Sequence, residues 1–459
     1  MLTNQTTAQW RERDAAHHWH PQSDMKEVNA HGSRIITRAE GVYIHDSDGN
    51  KILDGMAGLW CVMVGYGRKE IGAAVARQMD ELPYYNLFFQ CSHPPATQLA
   101  EKIASLTPPG MNKIFFTGSG SESNDTALRL VRTYWAVQGK PEKTIVIGRR
   151  NGYHGSTLAG VTLGGMKAMH EQGGPLVPDI THIDQPYWYD EGGDLSPEEF
   201  GLKAARALEA EIDRVGENRV AAFIAEPIQG AGGVIIPPST YWPEVKRILK
   251  EREILFIADE VICGFGRTGE WWGSTSFDLQ PDVLCMAKGL TSGYLPMGAV
   301  AVADRVSEVM YEKAGEFTHG YTYSGHPAAC AAALANIAIL EGEDLVGKAK
   351  RDLAPYLKEK WGALADHPLV GDASTFGMLG KLELTPNKKT RARFAKPGRI
   401  GGWTRNRSIA NGLVMRAVRD SMIISPPLSI TKAEIDEMAA KALKTLDELH
   451  RHVKETGEI

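Results

Sequence analysis

Three short, unbroken apolar runs limit what this chain can fold into. Residues 220–225 (VAAFIA), 254–258 (ILFIA) and 283–287 (VLCMA) contain no polar side chain. Runs of this length, spaced by amphipathic helical stretches, are the signature of a parallel sheet covered on both faces. The same alternation extends from about residue 67 to 326. Residues 113–116 and 144–147 read as strands, and 71–82, 201–215 and the stretch from 121 to about 135 read as helices. The expected class is α/β.

The flanks read differently. Residues 1–30 are polar and carry a patch of His17, His18, Trp19 and His20. Residues 34–56 read as a hairpin around Asp46-Ser47-Asp48-Gly49-Asn50, which is strong turn chemistry. After Pro327 comes an Ala-rich helix, then helical material to about residue 366. Strand-like pieces follow at 378–384, 413–416 and 422–425, with a final helix from about 432. That pattern describes a smaller α+β unit. Its basic stretch (Lys388, Lys389, Arg391, Arg393, Lys396, Arg399) reads as a solvated loop.

Composition excludes several function classes. With 51 Lys and Arg against 56 Asp and Glu, the net charge is −5, which argues against nucleic acid or an anionic membrane as a partner. The most apolar stretch, 327–340, falls short of the ~20 residues a membrane span needs. No apolar segment of signal-peptide type lies near Met1. The five cysteines form no CxxC pair and read as buried small hydrophobes, so a cytoplasmic location is expected.

The candidate chemistry lies where the apolar runs stop. The first ends at Glu226, the second at Asp259 and Glu260, and the third at Lys288, about 30 residues apart, one strand–helix–strand unit each. Ligands of open parallel sheets bind beyond the carboxyl ends of the strands, so these groups are placed to converge on one crevice. The strand at 113–116 runs into Gly118-Ser119-Gly120-Ser121-Glu122, a helix start in which Ser119 and Glu122 fit a capping box. Bare N–H groups and the helix dipole there suit a phosphate. A phosphate cradle, a carboxylate and a lysine on neighbouring strand ends meet the needs of pyridoxal 5′-phosphate. The lysine amine would form a Schiff base with its aldehyde, and the acid would pair with its pyridine nitrogen. A colourless nucleotide-binding or non-catalytic protein using the same turn is the rival from another class.

The motifs DGMAGLWCV (54–62), TGSGSESND (117–125), NGYHGST (151–157), AEPIQGAGGVI (225–235), ADEVICGFGRTGEWW (258–272), AKGLTSGYLPMGA (287–299) and HGYTYSGHP (319–327) carry a resemblance over nearly the whole chain. The sequence resembles the class III pyridoxal-phosphate aminotransferases of fold type I, and within them the ω-transaminases that use pyruvate as acceptor, including the putrescine/polyamine–pyruvate enzymes. The resemblance implies a large, mostly parallel sheet domain over 67–326. It also implies a smaller α+β domain from both termini, with 1–66 and 327–459 contributing. It implies that Lys288 bonds the cofactor, Asp259 holds the pyridinium nitrogen, and Val261 and Tyr153 pack on the two ring faces. Ser119, Gly120 and Ser121 would bind the phosphate, and His154, Glu226 and Gln229 would complete the cofactor site. Thr322 would reach the phosphate of a partner subunit in a homodimer or tetramer. Trp60, Phe88 and Tyr153 would line the substrate pocket, and Arg416, with Arg419 as a nearby rival, would bind the carboxylate of pyruvate.

The implied reaction is a ping-pong transfer from a primary amine, a diamine such as putrescine or an ω-amino acid to pyruvate, giving an aldehyde or ketone and L-alanine. The alternative is decarboxylation, aminomutation or racemisation on the same scaffold. Met63 stands where relatives often carry Asn, and residues 372–377 depart from the usual Arg-Gly segment. No metal is expected: His17 and His20 have helical spacing, but no Cys or acid cluster completes a site.

Overall fold

The computed structural model describes residues 5–458. Near the N-terminus the expected hairpin is a three-stranded meander of β1 (Ile36–Glu40), β2 (Tyr43–Asp46) and β3 (Lys51–Asp54). The first run breaks at Gly41, whose φ of 58° lies in the left-handed region. The expected turn closes the second pair: the Asp46 carboxylate accepts from the Asp48 and Asn50 backbones at 3.1 and 2.9 Å.

The large sheet contains β4 (Lys113–Thr117), β5 (Ile145–Arg149), β6 (Ile180–Ile183), β7 (Val220–Ala225), β8 (Leu255–Asp259), β9 (Val283–Met286) and β10 (Gly298–Val302). Its order is β4-β10-β9-β8-β7-β5-β6, with β10 antiparallel to both neighbours and the remaining pairs parallel. Alternate side chains of one strand face opposite layers. Phe223 and Ala225 pack under the helices Pro197–Val215 and Tyr241–Glu251, while Ala222 and Ile224 pack under the helix Gly120–Val137. Two of these strands carry weak sequence signals. The run of β10 is Gly, Ala and Val only, and β6 is a half-polar edge.

The remaining strands are β11 (Val370–Phe376), β12 (Leu379–Leu384), β13 (Leu413–Val414), β14 (Arg416–Val418) and β15 (Ser421–Ile424). The expected single strand at 413–416 is divided. β13 joins β3 in parallel, tying the two ends of the chain into one sheet, whereas β14 pairs antiparallel with β15 in a second sheet. Met415, buried between them, marks the change of sheet. Among the described residues no helix is long and apolar enough to cross a membrane.

The basic stretch departs from a solvated loop. Arg399 opens the helix Arg399–Ala410, and Arg391 and Arg393 fold back on the large-sheet layer. Arg393 bonds Asp190 at 2.7 Å and Glu383 at 3.0 Å. Glu383 is fully buried and also meets Lys381 at 3.1 Å, Ser421 at 2.6 Å and the Tyr187 hydroxyl. Burial alone would raise its pKa; Lys381 and the other donors outweigh that and hold it below the usual value. A buried carboxylate needs such partners, and this one draws the arginine in.

Removing Arg393 therefore weakens the tie between Asp190 and Glu383 of β12. Arg393→Ala should lower unfolding free energy by about 1–3 kcal/mol, below the full cost of breaking a buried pair because Lys381 remains. The exposed Lys389→Ala should stay within ~0.5 kcal/mol. Urea titration of both variants checks this, and equal midpoints would contradict the assigned role.

Candidate active site

Glu226 follows β7 directly, Asp259 ends β8, and Lys288 lies just beyond β9. The three therefore emerge at the carboxyl edge of adjacent strands. Asp259 is buried, and both of its oxygens accept hydrogen bonds. Its Oδ1 accepts from the Val261 N–H at 3.0 Å. Its Oδ2 accepts from Asn124 Nδ2 at 2.9 Å and His154 Nδ1 at 2.7 Å. Asn124 Nδ2 also bonds the His154 carbonyl at 2.8 Å, so helix, loop and strand are locked together. Glu226 accepts from the backbones of Tyr153 at 3.1 Å and Gly230 at 2.9 Å, and burial raises its pKa. Glu260 turns inward instead: Gly273 and Ser274 satisfy it, and burial pushes it up to about 7.

Lys288 adopts φ 40°, a left-handed conformation that is costly for a residue with a Cβ. The turn is held from behind by Asn336, which donates to the Gly289 and Leu290 carbonyls at 2.8 and 3.0 Å. The Lys288 side chain is partly exposed in the crevice. Burial of its ammonium dominates over nearby Cys61, Asp259 and Glu226 and lowers its pKa, so the neutral amine is available at lower pH than on a free lysine.

The Gly/Ser turn faces the same edge. Ser119 caps the helix Gly120–Val137, its Oγ accepting from Glu122 N–H at 3.2 Å. The expected capping box does not close in its usual form, because Glu122 takes the Gly118 N–H at 2.6 Å instead of that of Ser119. Any Cβ on Gly120 would stand 2.9 Å from Val261 Cγ2, so only glycine leaves the crevice open there. Ser121 Oγ accepts from Ser156 N–H at 3.0 Å. Gln229 is buried; its Nε2 bonds the Arg150 carbonyl at 2.9 Å, and its Oε1 has no partner.

Trp60 forms an aromatic wall. It follows a strained turn (Ala57 φ 48°, Gly58 φ 67°, Trp60 φ 61°) held by Asp54, which accepts from Met56 and Gly58 N–H. The Arg416 guanidinium lies 4.8 Å from the Trp60 ring centre and Lys288 Nζ lies 5.7 Å from it. Tyr153 packs in the same cluster with Val414 and Val418. Arg416 borders a cavity of about 530 Å³ with Ala231, Gly232 and Val418. Arg419 is exposed, at the turn between β14 and β15, on the outer rim of that cavity.

Two expected residues stand apart in the single chain. Phe88 packs against Gly320, and Thr322 is exposed, its carbonyl accepting from Tyr84 at 2.7 Å. One residue was missed: Asn124. Its signal was a polar residue on the apolar stripe of its helix, beside Ser123, Ala127, Leu128 and Val131.

The class-III aminotransferase family model matches residues 25–446. The chain is 61% identical to the putrescine–pyruvate aminotransferase of Pseudomonas aeruginosa over 448 residues, 98% of each chain. It is 39% identical to the diaminobutyrate–2-oxoglutarate transaminase of Halomonas elongata over 460 residues, again 98% of each. A thermostable (S)-enantioselective ω-transaminase from Thermomicrobium roseum superposes with a TM-score of 0.94 at 37% identity, over 97% of this chain and 99% of that one.

The Asn124 amide is expected to matter because it is neutral. Asn124→Asp would place a second carboxylate against Asp259 in a buried site, raising the pKa of the pair. A raised carboxyl pKa costs stability as pH rises through it. The deficit of this variant relative to the parent should therefore be larger at pH 8 than at pH 5, as read by thermal or urea unfolding. A pH-independent deficit would contradict the Asp259 geometry.

Proposed function

The chain belongs to the class-III aminotransferase family, whose cofactor is pyridoxal 5′-phosphate, and from that premise we propose that it transfers the amino group of a terminal primary amine, a diamine such as putrescine in particular, to pyruvate. The products are an aldehyde or ketone and L-alanine. The carrying observation is the Trp60 ring, with Lys288 and Arg416 both facing it. That wall brings an amine nucleophile and a carboxylate-binding guanidinium to one aromatic ring. The 61% identity to a putrescine–pyruvate aminotransferase supports the choice of donor and acceptor.

The residues fit the cofactor. The space a Cβ would fill at Gly120 leaves the helix N-terminus bare toward the crevice, suited to a phosphate. Ser119, Gly120 and Ser121 would hold that group. Asp259, oriented by Asn124 and His154, would hold the ring nitrogen, with Val261 and Tyr153 on the ring faces and Glu226 and Gln229 behind. When bound, the cofactor supplies an electron-withdrawing ring that stabilises negative charge at the donor carbon.

The chain's own groups do the rest. Lys288 Nζ, its basicity lowered by burial, accepts the proton leaving the donor carbon and passes it on. Arg416 grips the acceptor's carboxylate through paired N–H donors. Trp60 and Tyr153 exclude water and offer aromatic faces to a cationic diamine. Thr322 and Phe88, set apart in one chain, fit a homodimer in which Thr322 completes the partner's phosphate site. The exposed aromatics Tyr85, Phe89 and Tyr323 beside them support that pairing. Five free cysteines, three of them buried, suit the cytoplasm.

The yellow absorbance band of the loaded protein should bleach with putrescine and return with pyruvate. Arg416→Ala should raise the KM for pyruvate roughly 10–100-fold, the worth of a charge-assisted hydrogen bond, while bleaching by putrescine persists. Bleaching by other amines alone would remove the diamine. Bleaching without recovery on pyruvate would remove pyruvate as the acceptor, and a band that no amine bleaches would favour a sister chemistry.

A further inference from the structure

The histidine-rich patch near the N-terminus has no part in the proposed reaction, yet it is built around a carboxylate. Asp14 lies in the last turn of the helix Thr7–His17. His18 caps that helix, its N–H closing the turn on the Asp14 carbonyl at 2.9 Å, and its Nδ1 lies 3.1 Å from Asp14 Oδ1. Two residues on, the chain doubles back and His20 Nε2 lies 2.7 Å from Asp14 Oδ2. The two imidazole centres are 4.2 Å apart. Asp14 and His20 are largely shielded, at 15% and 21% side-chain exposure, while His18 is open at 59%. Among the described residues this is the one group of three His, Cys, Asp or Glu whose ligand atoms all lie within 4.8 Å of one another. His17, whose spacing to His20 is i, i+3, is exposed and is not part of the group, and the acid that completes the cluster is Asp14.

We propose that Asp14, His18 and His20 form a binding site for a divalent transition-metal ion, zinc in the first instance. Zinc binds imidazole nitrogen and carboxylate oxygen at about 2.0–2.2 Å, which sets its tetrahedral ligand edges near 3.3 Å. The two imidazole nitrogens lie 3.1 and 2.7 Å from the two Asp14 oxygens, and the ligand atoms of the three residues all fall within 4.8 Å of one another. The nitrogens facing Asp14 become donors of lone pairs once their protons reside on the far ring nitrogens or pass to solvent. Two imidazoles and one carboxylate are a borderline set suited to zinc, cobalt, nickel or copper rather than calcium or magnesium. The exposed side of His18 leaves the fourth position to water. The ion would clip residues 18–20 to the helix Thr7–His17, itself fastened to the β2–β3 turn by Arg11–Asp48 and Thr7–Ser47.

The test is zinc chloride titration of the chelator-treated, cofactor-loaded full chain, read by calorimetry and by bound zinc per chain. One zinc per chain is expected. His20→Ala and Asp14→Asn should weaken it at least ~10-fold, since even the loss of an outer-shell partner costs ~10–100-fold. His17→Ala should leave it unchanged. His18→Ala, altering an exposed side chain, serves where the other variants fold poorly, as judged by circular dichroism. Wild-type protein that takes up no zinc overturns the proposal. Undiminished uptake in the Asp14, His18 and His20 variants does so too, by placing the metal elsewhere, for instance at the partly exposed Cys61 or Cys91.

Discussion

A parallel sheet covered on both faces has nowhere to put charge except at its ends. β7, β8 and β9 are buried along their whole lengths. The polar groups that follow them are therefore delivered together, at one edge, on a backbone held by hydrogen bonds to both neighbours. Glu226, Asp259 and Lys288 owe their proximity to that rule and not to any contact between them in sequence. The rest of the site is arranged around this edge. The helix Gly120–Val137 presents its N-terminus there, and the two ends of the chain, joined through β3 and β13, bring Trp60 and Arg416 over it.

Holding a carboxylate in such a place requires donors, and the donors double as orienters. Asn124 and His154 bond the same Asp259 oxygen and each other. A bare carboxylate at this depth would be free to swing; two donors on one oxygen and the Val261 N–H on the other fix this one. Lys288 is held in a strained conformation by Asn336 from behind. Strain of this kind persists where the surroundings over-determine it, and it aims the amine into the crevice.

Much of this was legible because it rests on local, periodic signals. Unbroken apolar runs announced β7, β8 and β9, and the charged groups after each run are the ones the fold brings to one edge. What escaped was set by tertiary competition. The division of 413–416 into β13 and β14 depends on which sheet each half can join. The inward turn of Arg393 depends on Glu383, buried ten residues upstream in another element. The Glu122 side chain fits a capping box, yet the neighbouring Gly118 N–H is the better placed donor. Asn124 looked like an ordinary helix residue until Asp259, far away in sequence, came to lie beside it. For the divided strand, Arg393 and Asn124 the deciding partner lay on another element.

The account depends most on Lys288 being the group that engages the cofactor. Borohydride reduction of the loaded protein, followed by peptide mass mapping, locates the attachment directly. The account predicts the cofactor's added mass on the peptide containing Lys288 and on no other lysine, and its loss in Lys288→Ala. Attachment at a different lysine, or none in protein that carries the cofactor, would contradict it.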